Sequence, residues 1–302
     1  MIYYSLKERD VAMRIKKWIE KNTFRLDGKT VAISGSTGGL GTELCVYLAK
    51  LGANLILLNR SERKSLAQME NLKARFPETK VSFIKVDMED IFSVKAASEA
   101  ILQINIDFLI LNAGAYAIPR KKCSTGYDNV FMINFISPYY IARELFDSIR
   151  KRGGRIVFVS SIAHNYSKTD TADIDFSSRE RASLVYGNAK RFLTYSISEL
   201  YGDTGAISIT HPGITFTNIT AHYPKLIFAI IKYPMKLIFM KPRRAAISIL
   251  SGVFNPTGKR EWIGPRFFNV WGFPKKKCLT TAKDDEIRQI CDIAQRLYEE
   301  IK

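Results

Sequence analysis

Residues 30–41 read TVAISGSTGGLG, an apolar run that leads straight into a glycine-rich turn. The glycines at 35, 39 and 41 have the spacing G-x-x-x-G-x-G, and residues 39–51 are predicted to form a helix. Glycine permits a tight turn close to a pyrophosphate, and the start of the helix offers unpaired N–H groups and a positive dipole end. The stretch therefore predicts a dinucleotide-binding βα unit, with a glycine-rich turn that holds no ligand as the alternative.

Strands and helices alternate along the chain as far as residue 210. Apolar runs predict further strands at 55–58, 81–86, 108–111, 155–159 and 207–210, and helices are predicted at 61–75, 91–102, 127–150 and 184–201. Continuous apolar strands that alternate with helices indicate a parallel sheet covered on both faces. We therefore predict the α/β class, a single Rossmann-type doubly wound parallel sheet, with ligands bound beyond the carboxyl ends of its strands.

A tyrosine and a lysine lie four positions apart on the predicted helix 184–201. This spacing puts Tyr186 and Lys190 on one helix face, within reach of each other. An ammonium group beside a phenol favours the phenolate and lowers the phenol pKa from its usual value of about 10. Tyr186 is thus expected to exchange a proton with a carbonyl or alcohol oxygen.

Together these motifs resemble the short-chain dehydrogenase/reductase family. The likeness covers most of the chain, and Ser34 replaces the threonine of the family's T-G-x-x-x-G-x-G pattern. It implies an oxidoreductase that binds a nicotinamide dinucleotide along the carboxyl edge of the sheet. The residues that match the family's cofactor motifs are Gly35, Ser36, Thr37, Gly39, Leu40, Gly41, Asp87, Met88, Asn112, Ala113, Gly114, Tyr186, Lys190, Pro212, Gly213, Ile214 and Thr217.

The same resemblance implies a catalytic tetrad of Asn134, Ser161, Tyr186 and Lys190. In the family the serine donates a hydrogen bond to the substrate oxygen, and the asparagine holds a water of the proton relay to the lysine. Ser160 is then interpreted as structural. His211 is interpreted as a neighbour of the site, because the tyrosine–lysine pair already fills the role of the base. His164 is interpreted as an ordinary loop histidine, with contact to the substrate as the alternative.

The end of the second strand indicates which dinucleotide binds. NAD enzymes usually carry a carboxylate there, but this chain has Asn59 followed by Arg60 and Ser61. A guanidinium attracts a ribose 2′-phosphate that a carboxylate would repel, and the hydroxyls of Ser36 and Ser61 could add hydrogen bonds. NADP(H) is therefore favoured over NAD(H), with a solvated Arg60 and an Asn59 that serves NAD as the alternative.

The substrate side resembles the retinol-dehydrogenase/hydroxysteroid-dehydrogenase-like branch of the family. This chain has a long insert between Ser161 and Tyr186. It also has an apolar segment at 226–240, which Lys232, Pro234 and Lys236 interrupt. That segment is shorter than the roughly 20 residues that cross a bilayer. It is interpreted as a lid over an apolar substrate, a segment that dips into a membrane surface, or a pair of core helices. The first two favour a bulky hydrophobic alcohol, ketone or aldehyde, steroid- or retinoid-like.

Composition limits the partners and the compartment. The formal net charge of +17 suits anions such as dinucleotide phosphates or acidic lipids, and the chain has no nucleic-acid-binding motif. The clusters at 120–122, 150–152 and 275–277 are interpreted as solvated loop ends. The four cysteines form no C-x-x-C pair, so we expect reduced thiols, no metal site and a cytoplasmic protein, with membrane association left open.

Three regions are expected along the chain. Residues 1–28 form an amphipathic helical extension, which either packs on the domain or lies on a membrane. Residues 29–280 form the dinucleotide-binding and catalytic domain, including a substrate lid at about 218–245, and residues 281–302 form a terminal helix. The resemblance allows a homodimer, since helices in the places of 127–150 and 184–201 often form a dimer face in the family. A non-catalytic dinucleotide sensor or peripheral membrane protein on the same fold is the alternative function.

Overall fold

The structure is a computed structural model that describes residues 2–215 and 240–302. Its helices are α1 (Ile2–Asn22), α2 (Gly39–Lys50), α3 (Glu62–Arg75), α4 (Ile91–Leu102), α5 (Asn129–Phe131), α6 (Ser137–Lys151), α7 (Ala182–Tyr201), α8 (Pro242–Phe254) and α9 (Asp284–Ile301). Its strands are β1 (Thr30–Ser34), β2 (Asn54–Asn59), β3 (Val81–Lys85), β4 (Phe108–Leu111), β5 (Arg155–Val159), β6 (Ile207–Thr210), β7 (Glu261–Phe267) and β8 (Trp271–Cys278).

One eight-stranded sheet has the order β3-β2-β1-β4-β5-β6-β7-β8. All neighbours pair in parallel except β7 and β8, which are antiparallel. The chain reverses its direction of travel across the sheet between β3 and β4, so β1 and β4 lie side by side and open a crevice at their carboxyl ends. The predicted Rossmann-type α/β fold is confirmed.

The two faces of the sheet bury separate sets of side chains. Val31 and Ile33 of β1 pack with α2 and α8, whereas Ala32 faces the opposite side, towards α4, α6 and α7. This alternation follows from the two-residue period of a strand, and it explains why the strands are apolar throughout.

The first helix packs on the body of the protein. Ile15 of α1 is buried, and the ring of Trp18 stacks on Phe273 of β8 with centroids 6.3 Å apart. The predicted apolar face of this helix is therefore in contact with the domain, next to β8 and α8. Among the described residues, no helix is both long and apolar enough to cross a membrane.

Two local predictions were wrong. The single regular helix predicted over 127–150 begins at Asn129 and contains a π-helical stretch, Met132–Ile136, between α5 and α6. The cluster at 275–277, interpreted as a loop end, lies in β8, which pairs along β7. Three consecutive lysines give no strand period, and only the pairing with the preceding strand places them in the sheet.

The C-terminal helix covers the surface on which we expected a homodimer. The ring of Tyr298 in α9 is tilted by 44° against that of Tyr140, with centroids 5.9 Å apart, and the Arg143 guanidinium lies 4.0 Å from its centre. The Tyr298 hydroxyl donates to Glu144 at 2.5 Å. Leu297 belongs to the core shared with α6 and α7. A homodimer through α6 and α7 would have to displace α9.

Candidate active site

In the glycine-rich turn after β1, two glycines lie so close to neighbouring backbone that a side chain would not fit. Their lack of a side chain keeps the turn compact and leaves room for a ligand beside it. Gly35 has φ +64, and a Cβ there would lie 3.0 Å from the Cα of Ala113. A Cβ on Gly41 would lie 2.3 Å from the carbonyl oxygen of Gly35. The first turn of α2 has no side-chain cap, so its N–H groups are available to an anion.

The end of β4 is tied to the end of β1 by hydrogen bonds. The Asn112 amide donates to the carbonyl oxygens of Ser34 and Gly35 at 3.0 and 3.1 Å, and the Ala113 N–H donates to the Ser34 hydroxyl at 2.9 Å. The serine that replaces the family's threonine therefore keeps a structural role through its hydroxyl. These bonds hold open the crevice between the two strands.

A groove of about 430 Å³ runs along the carboxyl edge of this half of the sheet. Its lining contains the predicted cofactor residues Gly35, Thr37, Gly39, Leu40, Gly41, Asn59, Arg60, Ser61, Asp87, Met88, Asn112, Ala113 and Gly114. It also contains residues that sequence reasoning missed, notably Gly38, Lys64, Glu89, Tyr116 and Ile133. Tyr116 follows the N-A-G motif by two positions, which is the only sequence signal that could have pointed to it. The size and the glycine-lined floor of the groove fit a dinucleotide.

Ser36 lies behind the groove wall instead of in the groove, where it was predicted. It is fully buried, and its hydroxyl donates to Gln68 at 3.1 Å and accepts from the Asn59 amide at 2.8 Å. The same Asn59 amide also donates to Ser65 at 3.0 Å. Asn59 thus uses its N–H donors to join the turn to α3, and its side chain shapes the wall.

Arg60 projects from the end of β2 towards two carboxylates. Its guanidinium lies 3.9 Å from Asp87 and 3.6 Å from Glu89. Glu89 pairs in addition with Lys121 at 2.5 Å. The arginine side chain is largely exposed, so it is free to turn towards a phosphate at this end of the groove. Ser61 caps α3 by accepting the N–H of Lys64 at 3.4 Å.

The tyrosine and the lysine of α7 lie side by side beyond Gly114. The ammonium of Lys190 is 5.8 Å from the centroid of the Tyr186 ring and donates to the carbonyl oxygen of Val159 at 2.8 Å. Tyr186 is half-buried, and its ring meets Tyr116 edge-on with centroids 5.4 Å apart. Tyr116 therefore connects the groove to the pair.

Burial acts on both groups in favour of their neutral forms. It raises the pKa of Tyr186 to about 12, although a hydrogen bond with Ser161 opposes the rise. It lowers the pKa of Lys190 to about 7. Loss of solvation therefore determines the direction of the Tyr186 pKa here, and the expected lowering of that pKa by Lys190 stays a prediction.

Asn134 and Lys190 converge on Gly114. A Cβ at Gly114 would lie 2.9 Å from the Asn134 side-chain oxygen and 3.7 Å from the lysine ammonium. The asparagine amide donates to the carbonyl oxygens of Ala115 and Val130, both at 2.8 Å. Asn134 lies in the π-helical stretch, a feature that is frequent at functional sites.

The two serines after β5 face different surroundings. Ser160 is buried and shares a 2.5 Å hydrogen bond with Thr194, so it is structural. Ser161 lies close enough to Tyr186 to lower the pKa of its phenol, and it accepts the N–H of Ala163 at 3.2 Å, at the start of a 3-10 turn, Ile162–Asn165. The structure therefore brings Ser161, and not Ser160, to the tyrosine.

The loop after β6 lies against the β7–β8 hairpin. Gly213 has φ +86, and a Cβ at this position would lie only 2.5 Å from the side chain of Met240. Ile214 accepts the N–H of Met240 at 2.9 Å. Pro212, Gly213 and Ile214 do not border the groove described above. Thr217 and most of the predicted lid at 218–245 lie outside the described residues.

Comparisons with known proteins agree with this arrangement. Residues 29–172 match the family model for short chain dehydrogenases. An uncharacterized oxidoreductase of Schizosaccharomyces pombe is 26% identical over 100% of this chain and 94% of its own length. Human retinol dehydrogenase 12 is 24% identical over 86% of this chain and 88% of its own. Mouse polyprenol dehydrogenase is 22% identical over 87% of this chain and 81% of its own.

Solved structures show the same fold. An uncharacterized protein from Mycobacterium paratuberculosis superposes with a TM-score of 0.68 at 22% identity, covering 92% of this chain and 94% of that one. L-sorbose reductase from Gluconobacter frateurii, solved with NADPH and L-sorbose, superposes with a TM-score of 0.60 at 18% identity, covering 86% and 99%. Over residues 29–172 the chain is similar to the short chain dehydrogenase family, and an oxidoreductase, retinol dehydrogenase 12 and polyprenol dehydrogenase are among the proteins that it resembles over most of its length.

Proposed function

We propose that this protein is an NADP(H)-dependent oxidoreductase that interconverts an alcohol and its ketone or aldehyde on a bulky hydrophobic substrate. The observation that carries the proposal is the position of Tyr186, which lies near Ser161 and Lys190 and meets Tyr116 of the dinucleotide-sized groove edge-on. A phenol at that point can reach the oxygen of a substrate bound beside the groove.

The proposed chemistry assigns one task to each residue of the tetrad. When bound, the nicotinamide supplies or accepts the hydride at the carbinol carbon. Tyr186 gives a proton to the carbonyl oxygen in reduction and takes it back in oxidation. Ser161 donates a hydrogen bond to the same oxygen, and Lys190 holds the ribose and supports the developing phenolate. Asn134 positions Ala115 and keeps the lysine end of the site in place.

The residues around the groove would hold the dinucleotide in a defined order. The glycine-rich turn and the start of α2 would bind the pyrophosphate. Asp87 and Met88 would contact the adenine, and Pro212, Gly213, Ile214 and Thr217 the nicotinamide end. Arg60 would bind the 2′-phosphate, supported by Ser61 and by Lys64, which also lines the groove.

The hydrophobic substrate is proposed from two facts. The chain carries an apolar segment at 226–240, and two relatives are named for retinol and polyprenol, both apolar alcohols. We further propose that 218–245 acts as a lid, that the protein is cytoplasmic with peripheral membrane contact, and that any homodimer uses a surface other than the one covered by α9.

The central test is Tyr186→Phe, which removes the hydroxyl and keeps the ring. Turnover of apolar secondary alcohols or retinoids with NADP⁺, followed at the nicotinamide absorbance, should fall by about 10²–10⁴-fold. NADPH binding, measured by fluorescence titration, should be unchanged. Tyr166→Phe, on an exposed tyrosine, is the matched control and should behave as wild type. Full turnover by the Tyr186 variant would refute the catalytic assignment, whereas wild type that binds NADPH but turns over none of these substrates would favour a dinucleotide sensor.

The cofactor preference has its own test. Arg60→Asp should weaken NADP⁺ binding by about tenfold or more and leave NAD⁺ binding less affected, because a carboxylate repels the 2′-phosphate. Arg63→Asp changes the same charge on an exposed position of α3 that does not line the groove. Equal losses of NADP⁺ affinity in the two variants would show a general charge effect and refute the role of Arg60.

A further inference from the structure

The turn that joins β7 to β8 holds a phenylalanine in an unfavourable backbone conformation. Phe268 has φ 50 and Asn269 has φ 58, and the N–H of Val270 donates to the carbonyl oxygen of Phe267 at 2.9 Å. Both central residues of this turn, which lies within the three-residue connection 268–270, are left-handed, a conformation in which Asn and Gly are usual. A bulky residue in this region is an outlier, and such outliers point to a functional constraint.

The result of this conformation is an aromatic tip in water. Phe268 is 84% exposed, Phe267 54% and Trp271 41%. Among the exposed large apolar side chains of the described residues, that of Phe268 has the highest exposed fraction. We call these three residues the aromatic tip. Asn or Gly at position 268 would form the same tight turn without exposing an apolar side chain, so the turn alone does not explain the phenylalanine.

The hairpin that carries the aromatic tip is basic. Lys276 is paired with Glu261 at 3.3 Å and Lys277 donates within the hairpin, which leaves Arg266 and Lys275 as the cations relevant to docking. From Trp262 to Leu279 the chain contains Arg266 and the lysines at 275–277 and no Asp or Glu. Lys275 is exposed, and the Arg266 guanidinium lies 5.6 Å from the Phe267 ring. The basic start of α8 is adjacent, because Arg244 lies 5.9 Å from the ring of Phe273 in β8. Aromatic residues flanked by cations suit the boundary of an anionic lipid surface.

The aromatic tip lies at the edge of the sheet that carries the site. The β7 strand runs parallel to β6, so its end at Phe267 is on the carboxyl side. The ring Nε2 of His211 is 3.0 Å from the carbonyl oxygen of Asn269, and a Cβ on Gly213 would lie 2.8 Å from that of Val270. The hairpin is thus packed directly on the loop that follows β6.

We propose that the β7–β8 hairpin docks this protein on an anionic membrane surface, with the aromatic tip inserted at the headgroup level and the flanking cations on the lipid phosphates and carboxylates. This arrangement turns the carboxyl edge of the sheet towards the bilayer, from which an apolar substrate can enter. The docking does not depend on the proposed reaction, since binding to vesicles is measured without substrate or cofactor.

Sedimentation of the full chain with vesicles tests the proposal. Wild type should co-sediment with phosphatidylcholine vesicles that contain about 30% phosphatidylserine, bind pure phosphatidylcholine more weakly, and be released as salt is raised. The Phe267→Thr/Phe268→Asn variant should lose about tenfold or more of its partition coefficient, because two exposed aromatic side chains no longer insert. The Arg266→Gln/Lys275→Gln variant should lose mainly the part of its vesicle binding that depends on phosphatidylserine.

Two controls separate docking from folding. Asn favours the left-handed conformation, so Phe268→Asn should unfold at a temperature equal to or above that of wild type. Phe92→Ser removes a phenylalanine that is 70% exposed on α4, beside Glu89 and Asp90, and should bind vesicles as wild type does. The proposal is overturned if wild type stays in the supernatant, if the hairpin variant partitions equally, or if the aromatic tip proves to join two copies of the chain without vesicle binding.

Discussion

At the scale of single residues, two glycines of the same loop differ in what a methyl group would meet. A Cβ on Gly41 would lie 2.3 Å from the Gly35 carbonyl oxygen and 2.6 Å from the Ser36 Cα, both backbone atoms. A Cβ on Gly38 would meet the same carbonyl oxygen at 3.4 Å, an ordinary contact. Helix α2 and the turn can approach each other only because residue 41 has no side chain.

We expect Gly41→Ala to lower the free energy of unfolding by about 1–3 kcal/mol and to abolish NADPH binding, because the turn must shift away from α2. Gly38→Ala is the matched control, with the same methyl added to the same loop, and should keep its stability within about 1 kcal/mol of wild type. Urea unfolding and fluorescence titration measure the two effects. If both alanines behaved alike, close packing would not be the reason for the glycine at 41.

At the scale of secondary-structure elements, α7 carries the site on one side and a buried ion pair on the other. Arg191, next to Lys190 in the chain, donates to both carboxylate oxygens of Glu286 in α9 at 2.7 and 2.6 Å. It also donates to the carbonyl oxygens of His164 and Thr281 at 2.9 and 2.8 Å. One guanidinium therefore joins α7, the turn after Ser161 and the C-terminal helix.

Arg191→Gln should lower the free energy of unfolding by about 3 kcal/mol, because it leaves the partly buried Glu286 carboxylate and two carbonyl oxygens without their donor. The side chain of Arg191 is only 1% exposed and that of Glu286 19%, so solvent cannot replace it fully. Arg296→Gln, in an exposed pair with Glu300 at 3.8 Å, should cost less than about 0.5 kcal/mol. Thermal and urea unfolding compare the two, and similar small losses in both would contradict the structural role of Arg191.

At the scale of the whole molecule, two neutral histidines lie in the interior where the sheet, the turn after β5 and the hairpin meet. His164 and His211 flank the ring of Trp262, with centroids 4.9 and 5.4 Å away. Burial lowers the pKa of His164 to about 4 and that of His211 to about 3. His211 was interpreted as a neighbour of the site and His164 as a loop histidine, and the structure buries both side chains.

These pKa values predict that the protein loses stability in mild acid. The unfolded chain binds protons at these histidines below about pH 6.5, whereas the folded protein does not until about pH 4 or lower. The folded state is therefore favoured above about pH 6.5, and at about pH 5 each histidine should cost on the order of 2 kcal/mol.

Urea unfolding at about pH 7.5 and pH 5 measures this loss. Carboxylates also titrate in acid, so the informative comparison is between wild type and His211→Gln. The variant should lack about half of the acid-induced loss of unfolding free energy that the two histidines cause together in wild type. The idea fails if this variant and wild type lose the same stability between the two pH values.

The local pattern of the chain determined the elements and their order, because strand and helix periods and the glycine-rich turn are properties of neighbouring residues. It also brought the tyrosine and the lysine onto one face of α7, since a spacing of four residues suffices for that. Contacts between distant segments decided the rest. They buried the Ser36 hydroxyl in a hydrogen bond with Asn59, paired β8 with β7, and covered α6 and α7 with α9. They also set the pKa values of Tyr186 and Lys190, because solvation of a group depends on what the whole fold packs around it.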